Sequence, residues 1–252
     1  MSTHTSPDML AYYAARAPIY DAVYQRPERQ DDIAFFQRHI PERLAGRRVL
    51  EVACGTGYWT PGIAARAQSV VATDANEEPM AFARLRPGAH EVHFRQANVY
   101  SLPDDLGRFD AAFAGLWFSH VPIEARADFL AGLHGHLLPG ARVLLLDNTA
   151  IQCRELPIAE TDTQGNTFQH RPLPDGSVHR VLKNFPNEAE LRALLPAGCE
   201  QVHFLQRDHF WLLEYQLGVA VAVAGDRFAD GVLEVGIALE PELLRELDHA
   251  GL

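Results

Sequence analysis

Cysteine is scarce in this chain. Cys54, Cys153 and Cys199 stand far apart and form no C-x-x-C pair, which excludes a disulfide framework and the usual zinc spacing. A reducing, cytoplasmic compartment is the expectation. Positive charge is also short: 22 Lys and Arg against 33 Asp and Glu leave a formal net charge of −11. No basic run is longer than Arg47-Arg48, so a nucleic-acid partner is disfavoured. Long apolar runs are missing. Leu217 to Gly225 is too short to cross a bilayer, and "MSTHTSPDML" has no basic stretch leading into an apolar one, so neither a membrane span nor a signal peptide is expected. Internal repeats and low-complexity tracts are absent too. What is present is 252 residues at 47% hydrophobic composition, which suits one globular domain with some elaboration, or at most two small ones, with a core that needs no staples.

Hydrophobic periodicity organises that core. Residues 8–44 read as helical, broken at Pro18 and Pro27. Short apolar runs at 48–53, 69–74, 91–97, 109–115 and 141–147 read as strands, and 59–67, 76–86 and 123–137 as helices between them. Phe129, Leu130, Leu133 and Leu137 share one face of the last helix, and Pro139-Gly140 is expected to stop it. Strands alternating with helices imply βαβ units and a mostly parallel sheet. Residues 148–167 read as a long polar loop. "FQHRPLPDGSVHRVLK" reads as a hairpin turning at Asp175-Gly176. Asn187 with Glu190 marks a helix start. "EQVHFLQRDHFWLLEYQ" reads as two antiparallel strands joined near Arg207-Asp208. The tail contains "VAVAVAG", a strand or the start of a packed helix, and "EPELLRELDHAGL", a short helix. Packing on the core is expected of it, with a homodimer contact as the alternative.

"VLEVACGTGYWT", Val49 to Thr60, carries the chemistry. A strand enters a glycine turn and then a helix, which lets backbone approach a ligand closely and offers unpaired N–H groups. Gly55 and Gly57 supply the turn; Glu51 lies inside the apolar strand before it. Asp74 ends the second strand, where a carboxylate suits a ribose diol. Asn98 and Val99 follow the third, suited to an adenine edge and face. With these residues the chain resembles the class I S-adenosylmethionine-dependent methyltransferases over roughly Tyr12 to Gln216. The resemblance implies a Rossmann-like, doubly wound α/β fold: a seven-stranded sheet, mostly parallel with an antiparallel last strand, behind an N-terminal helical lid. It divides the chain into a lid at 1–44, a core at 45–216 with an insertion and hairpin at 148–185, and an extension at 217–252. It implies S-adenosylmethionine as cofactor, leaving as S-adenosylhomocysteine. Glu51, Ala53, Gly55 and Gly57 would hold the methionine part, Asp74 the ribose, and Asn98 and Val99 the adenine.

Ala53 stands where the family often has glycine, and Asn98 replaces the more usual aspartate. An NAD dehydrogenase is the rival, but Thr60 occupies the third glycine position of G-x-G-x-x-G. "YYAARAPIYD" resembles the lid segment of many small-molecule methyltransferases, which points to Tyr20, with Tyr12, Tyr13 and Arg16 as other candidates, for the cofactor carboxylate. In "GLWFSHVP", Trp117 and Phe118 are expected to shape the acceptor pocket and His120 to act as general base or acceptor contact.

Asp147-Asn148 is similar to the metal-binding pair of catechol-type O-methyltransferases, but the further Asp is missing from "FAGLWFSH". His134 and His136 point to different faces of one helix, so no metal is expected. The insertion offers Asn166, Gln169, His170, Arg171 and Lys183, with Asn148 beside it, to a small acceptor, a set that could bind a carboxylated one. "VLKNFP" and "HFWLLEY" are similar to ovothiol-type imidazole N-methyltransferase domains, which makes an imidazole acceptor one reading. The expected function is methyl transfer to a small-molecule N, O or S acceptor. A tRNA or other nucleic-acid methyltransferase, and a non-catalytic cofactor sensor or partner subunit, are the alternatives.

Overall fold

The computed structural model describes residues 7–218. The readings of "VAVAVAG", "EPELLRELDHAGL" and the dimer contact lie outside them. Strands β1 (Arg48–Val52), β2 (Ser69–Asp74), β3 (Val92–Gln96), β4 (Phe109–Gly115), β5 (Leu137–Asn148), β9 (Glu200–Gln206) and β10 (Phe210–Gln216) form one sheet in the order β3-β2-β1-β4-β5-β10-β9. β10 runs antiparallel to both its neighbours, and the first five strands pair in parallel. The strand order reverses between β1 and β4. In open α/β sheets, that switch point leaves a crevice outside the carboxyl ends of the strands.

Both faces of the sheet are buried, which is why its central strands read as continuous apolar runs. Side chains alternate along β5: Val143 and Leu145 join Phe118, Phe129, Leu133 and Trp211 on one face, whereas Leu144 and Leu146 join Phe36, Ile40, Val49 and Phe113 on the other. Helices α2 (Gln30–Arg43) and α3 (Thr60–Ala64) supply part of the second core; α5 (Arg126–His134) supplies part of the first. α1 (Pro7–Arg16) packs instead on the smaller sheet of β6 (Glu160–Thr161), β7 (Thr167–Pro172) and β8 (Val178–Leu182), where Met9 and Tyr12 meet Leu173 and Val181. Among the described residues no helix is long and apolar enough to cross a membrane.

Several expectations need correction. The helix expected at 123–137 ends at His134, and Leu137 already pairs with Phe109 as the start of β5. Pro139-Gly140 therefore interrupts a strand rather than stopping a helix. Proline has no N–H for the ladder, and the register slips between Phe109 and Ala111 opposite it. The helix expected at 59–67 covers only Thr60–Ala64, and α4 (Glu77–Ala83) is shorter than the expected 76–86. The polar stretch 148–167 carries a 3-10 turn at Ala150–Arg154 and β6. The hairpin turns at Asp175-Gly176, where Gly176 has φ +86° and Ser177 N–H donates to Asp175 Oδ1 at 2.9 Å. α6 (Glu188–Ala193) opens on the full Asn187–Glu190 capping box.

Candidate active site

The turn after β1 places Ala53, Gly55 and Gly57 in the left-handed region, at φ +51°, +56° and +70°. Asp74, at the end of β2, braces this turn: its Oδ2 accepts Gly55 N–H at 2.9 Å and its Oδ1 accepts Asn76 N–H at 2.8 Å. Burial pushes the Asp74 carboxyl up to about 6, against the pull of those donors. Glu51 lies beneath the turn, 2% exposed, and its Oε2 has no hydrogen-bond partner. Burial raises it to about 8; the nearby Thr60 hydroxyl opposes that shift and the Asp74 charge adds to it. A buried acid without a partner is costly unless protonated or supplied with a cation.

Beside the turn lies a solvent-open cavity of about 750 Å³, its open mouth included. Ala53, Gly55, Asp74, Asn98 and Val99 form its strand-end wall; Met9, Leu10, Tyr13 and Tyr20 close it from the N-terminal segment; Trp117 and His120 complete it. Asn98 Oδ1 accepts Tyr100 N–H at 3.0 Å, so that side chain also caps a local turn. These residues fit a nucleoside joined to an amino acid. Asp74 offers a carboxylate at the strand ends, Pro79, Ala97 and Val99 offer an apolar wall that a flat base could cover, and Glu51 lies under the glycine turn with one carboxyl oxygen unpartnered.

A second cavity of about 480 Å³ shares Tyr13, Tyr20, Leu116 and His120 with the first. Its other walls include Arg16, Arg26, Arg29, Arg171 and Lys183, with Glu155 as its one acid. His120 sits where the two meet. Its Nδ1 lies 2.6 Å from Leu182 O, which only an Nδ1–H can satisfy, so Nε2 accepts from the Tyr13 hydroxyl at 2.8 Å. Tyr13 accepts in turn from Arg171 Nη1 at 3.1 Å, and Arg171 Nε and Nη2 donate to Gln169 Oε1 at 3.1 and 2.7 Å. Burial, then the charges of Lys183 and Arg171, hold His120 well below the usual histidine range. Lys183 donates to Ser119 Oγ at 2.7 Å and to Asp147 Oδ1 and Asn148 Oδ1 at 3.0 Å. Burial lowers its amine to about 8; Asp147 opposes that shift and Arg171 adds to it.

The structure brings Tyr20, Ala53, Gly55, Asp74, Asn98, Val99, Trp117 and His120 to the first cavity, and Asn148, Arg171 and Lys183 to the second. Other candidates fall elsewhere. Gly57 faces α4: a Cβ there would sit 2.7 Å from Ala83 Cβ, so its role is close packing. Phe118 is fully buried against Phe129 and Trp211, on the core side of the turn that exposes Trp117. Asn166, 1% exposed, clamps the insertion by accepting from Ile123 N–H at 2.8 Å and Asn184 Nδ2 at 3.0 Å. His170 is half-exposed and paired to Glu160 at 2.6 Å. Gln169 and Tyr12 are buried supports rather than walls. Asp147 is occupied by Lys183 and by the N–H groups of Ser119 and Asn148, at 2.8 and 2.7 Å. Among the described residues no group of three or more His, Cys, Asp or Glu could hold a metal ion. The sequence reading missed Arg26, Arg29 and Glu155. Arginines crowding the Pro27 break of an acidic chain were the available signal.

A profile described as "Methyltransferase domain" matches residues 49–140. The ubiquinone biosynthesis O-methyltransferase of Azotobacter vinelandii is 35% identical over 114 residues, 44% of this chain and 47% of the relative. The chain thus spans about half the length of the first curated relatives it matches. The malonyl-[acyl-carrier protein] O-methyltransferase of Serratia marcescens is 28% identical over 176 residues, 65% of this chain and 66% of that one. Among solved structures, the DhpI-SAM-HEP complex superposes with a TM-score of 0.68 at 30% identity, covering 85% of this chain and 99% of DhpI. The DhpI-SAH complex gives 0.69 at 29%, covering 86% and 99%. With the glycine turn, the Asp74 brace and the strand order described above, these matches show that the chain belongs to the class I S-adenosylmethionine-dependent methyltransferases.

Proposed function

We propose that this enzyme transfers a methyl group to a small-molecule acceptor held in the second cavity. The observation that carries the reading is the shared wall: Tyr13, Tyr20, Leu116 and His120 line both cavities, so donor and acceptor would meet there. Even counting its open mouth, the second cavity suits a small molecule rather than a macromolecule. Bound in the first cavity, S-adenosylmethionine supplies a methyl group on a positively charged sulfur. Asp74 holds the ribose hydroxyls, Asn98 and Val99 the adenine, and Glu51, ionising beneath Ala53 and Gly55, answers the ammonium. Tyr20 and the other aromatic walls shield the sulfur, whose charge suits an aromatic face. The segment before residue 45 serves as a lid, and α1 carries Met9 over the first cavity and Tyr13 over both, excluding water and fixing the acceptor in line.

His120 works through Tyr13. Its free lone pair is engaged by the Tyr13 hydroxyl, so a proton leaving an N, O or S acceptor passes to that hydroxyl as Tyr13 passes its own to His120. A second reading, an imidazole acceptor of zwitterionic type, draws on Glu155: an amino-acid ammonium would meet that carboxylate while a carboxylate met the arginines. The test is transfer of isotope-labelled methyl to a panel of small acids, hydroxy acids and imidazoles, read as product mass. In His120→Ala, turnover should fall by about 10-fold or more with homocysteine-product affinity nearly unchanged. Equal turnover removes His120 from the reaction, and no labelled product across a broad panel would favour a cofactor-binding sensor.

A further inference from the structure

Arg171 is 5% exposed, yet every group it bonds is neutral: Gln169 Oε1 and the Tyr13 hydroxyl. Among the described residues no carboxylate lies within ion-pair distance of it. Arg16 likewise has no acidic partner among them; its guanidinium contacts the Tyr12 hydroxyl and stands over the Tyr12 and Tyr20 rings. Arg29 is 4% exposed, shares the part-exposed Glu155 with Arg26, and keeps a buried Nε without a partner. All three line the second cavity. Their fields converge: both Arg171 and Arg29 act on the Lys183 amine, and Arg171 and Arg16 act on His120. Lys183 is already answered by Asp147, so the uncompensated charge belongs to the arginines.

A guanidinium withdrawn from water without a counter-charge is expensive. In a chain with 33 acidic residues, Arg171 with no carboxylate, and Arg26 and Arg29 sharing the single carboxylate of Glu155, leave one cavity with a surplus of positive charge, which reserves the place for an external anion. Resting on the methyltransferase reading of this site, we infer that the acceptor carries a compact oxyanion head group with two negative charges, seated between Arg171 and Arg29. A single tetrahedral dianion and a pair of adjacent carboxylates share that chemistry. Gln169 takes the Nε/Nη2 edge of Arg171 and the Tyr13 hydroxyl takes one Nη1 hydrogen, so the second N–H of Nη1 and that of Nη2 are the donors left for either anion. Glu155 then acts as a resting counter-ion for Arg26 and Arg29, which the incoming anion replaces at Arg29.

The test is calorimetric titration of the protein, saturated with S-adenosylhomocysteine, with inorganic phosphate, malonate and acetate. Phosphate or malonate should bind at least about 10-fold more tightly than acetate. Arg171→Gln and Arg29→Gln should each weaken that binding by about 10-fold or more, whereas Arg171→Lys should restore part of it. Thermal unfolding and homocysteine-product affinity of each variant report an intact fold. Tighter phosphate than malonate identifies a tetrahedral head; the reverse identifies paired carboxylates. Binding of the homocysteine product without any anion binding, or anion binding unchanged in both glutamine variants, overturns the inference and leaves the methyltransferase reading standing. Failure of the homocysteine product to bind overturns both.

Discussion

Gly55 and Gly57 look alike in sequence and differ in three dimensions, which makes their alanine variants a sharp test. Both are left-handed, at φ +56° and +70°, so an alanine at either costs about 1–2 kcal/mol from the backbone alone. At Gly57 the new Cβ would also stand 2.7 Å from Ala83 Cβ and 3.0 Å from Ala83 Cα. The second contact is with backbone, so α4 must move, and overpacking of this kind costs about 1–3 kcal/mol more. Gly57→Ala should therefore lose about 2–5 kcal/mol of stability. A Cβ on Gly55 meets nothing within 4 Å, so Gly55→Ala should lose only the backbone share. Gly55 lines the first cavity, however, so the same variant should bind S-adenosylhomocysteine about 10-fold or more weakly as the turn loses its close approach. Urea unfolding and calorimetry on the two variants separate the effects. Equal destabilisation, or a Gly57 variant as stable as the parent, would refute the reasoning.

Other expectations follow from the same turn. Ala53→Gly removes a left-handed alanine and should stabilise the fold by about 0.5–1 kcal/mol after the extra unfolded-state entropy of glycine; a loss of stability in urea would contradict it. Glu51 has a folded value of about 8, above its ordinary 4.5. Between those values the folded chain binds more protons than the unfolded one, so stability falls as pH rises through that window. Glu51→Gln should remove the Glu51 share of this slope, leaving the smaller share of Asp74 with its folded value of about 6, and gain stability over the parent, by up to a few kcal/mol, on going from about pH 5 to about pH 8. Parallel urea midpoints for both proteins would exclude a buried, unpaired Glu51. Asp74→Ala removes two acceptors from the turn and should weaken homocysteine-product binding by about 1–3 kcal/mol.

Much of the fold was legible because burial on both sheet faces writes itself as apolar runs. The strands at Arg48–Val52 and Ser69–Asp74 fall where those runs are. The glycine turn and Asp74 were legible because the local chain alone demands them. Pro139-Gly140 misled because the same pair that ends a helix also breaks a strand ladder. The second cavity was only half visible. Arg171 and Lys183 sit on a hairpin already suspected of covering the acceptor, but Arg29 reaches its place through a contact with Glu155, 126 residues away. Residue type could not separate Trp117 from Phe118, since which neighbour faces the cavity is decided by a one-residue change of direction after β4. Asn166 and His170 have the chemistry of ligands, and the structure spends it on a clamp and an ion pair.

The most direct measurement is calorimetric titration of the protein with S-adenosylhomocysteine, with NAD as control and Asp74→Ala as the paired variant. A micromolar dissociation constant for the homocysteine product, no heat from NAD, and about 10-fold or greater weakening in the variant are the expected results. No binding of the homocysteine product, or binding indifferent to Asp74, would contradict the assignment of the first cavity as the cofactor site.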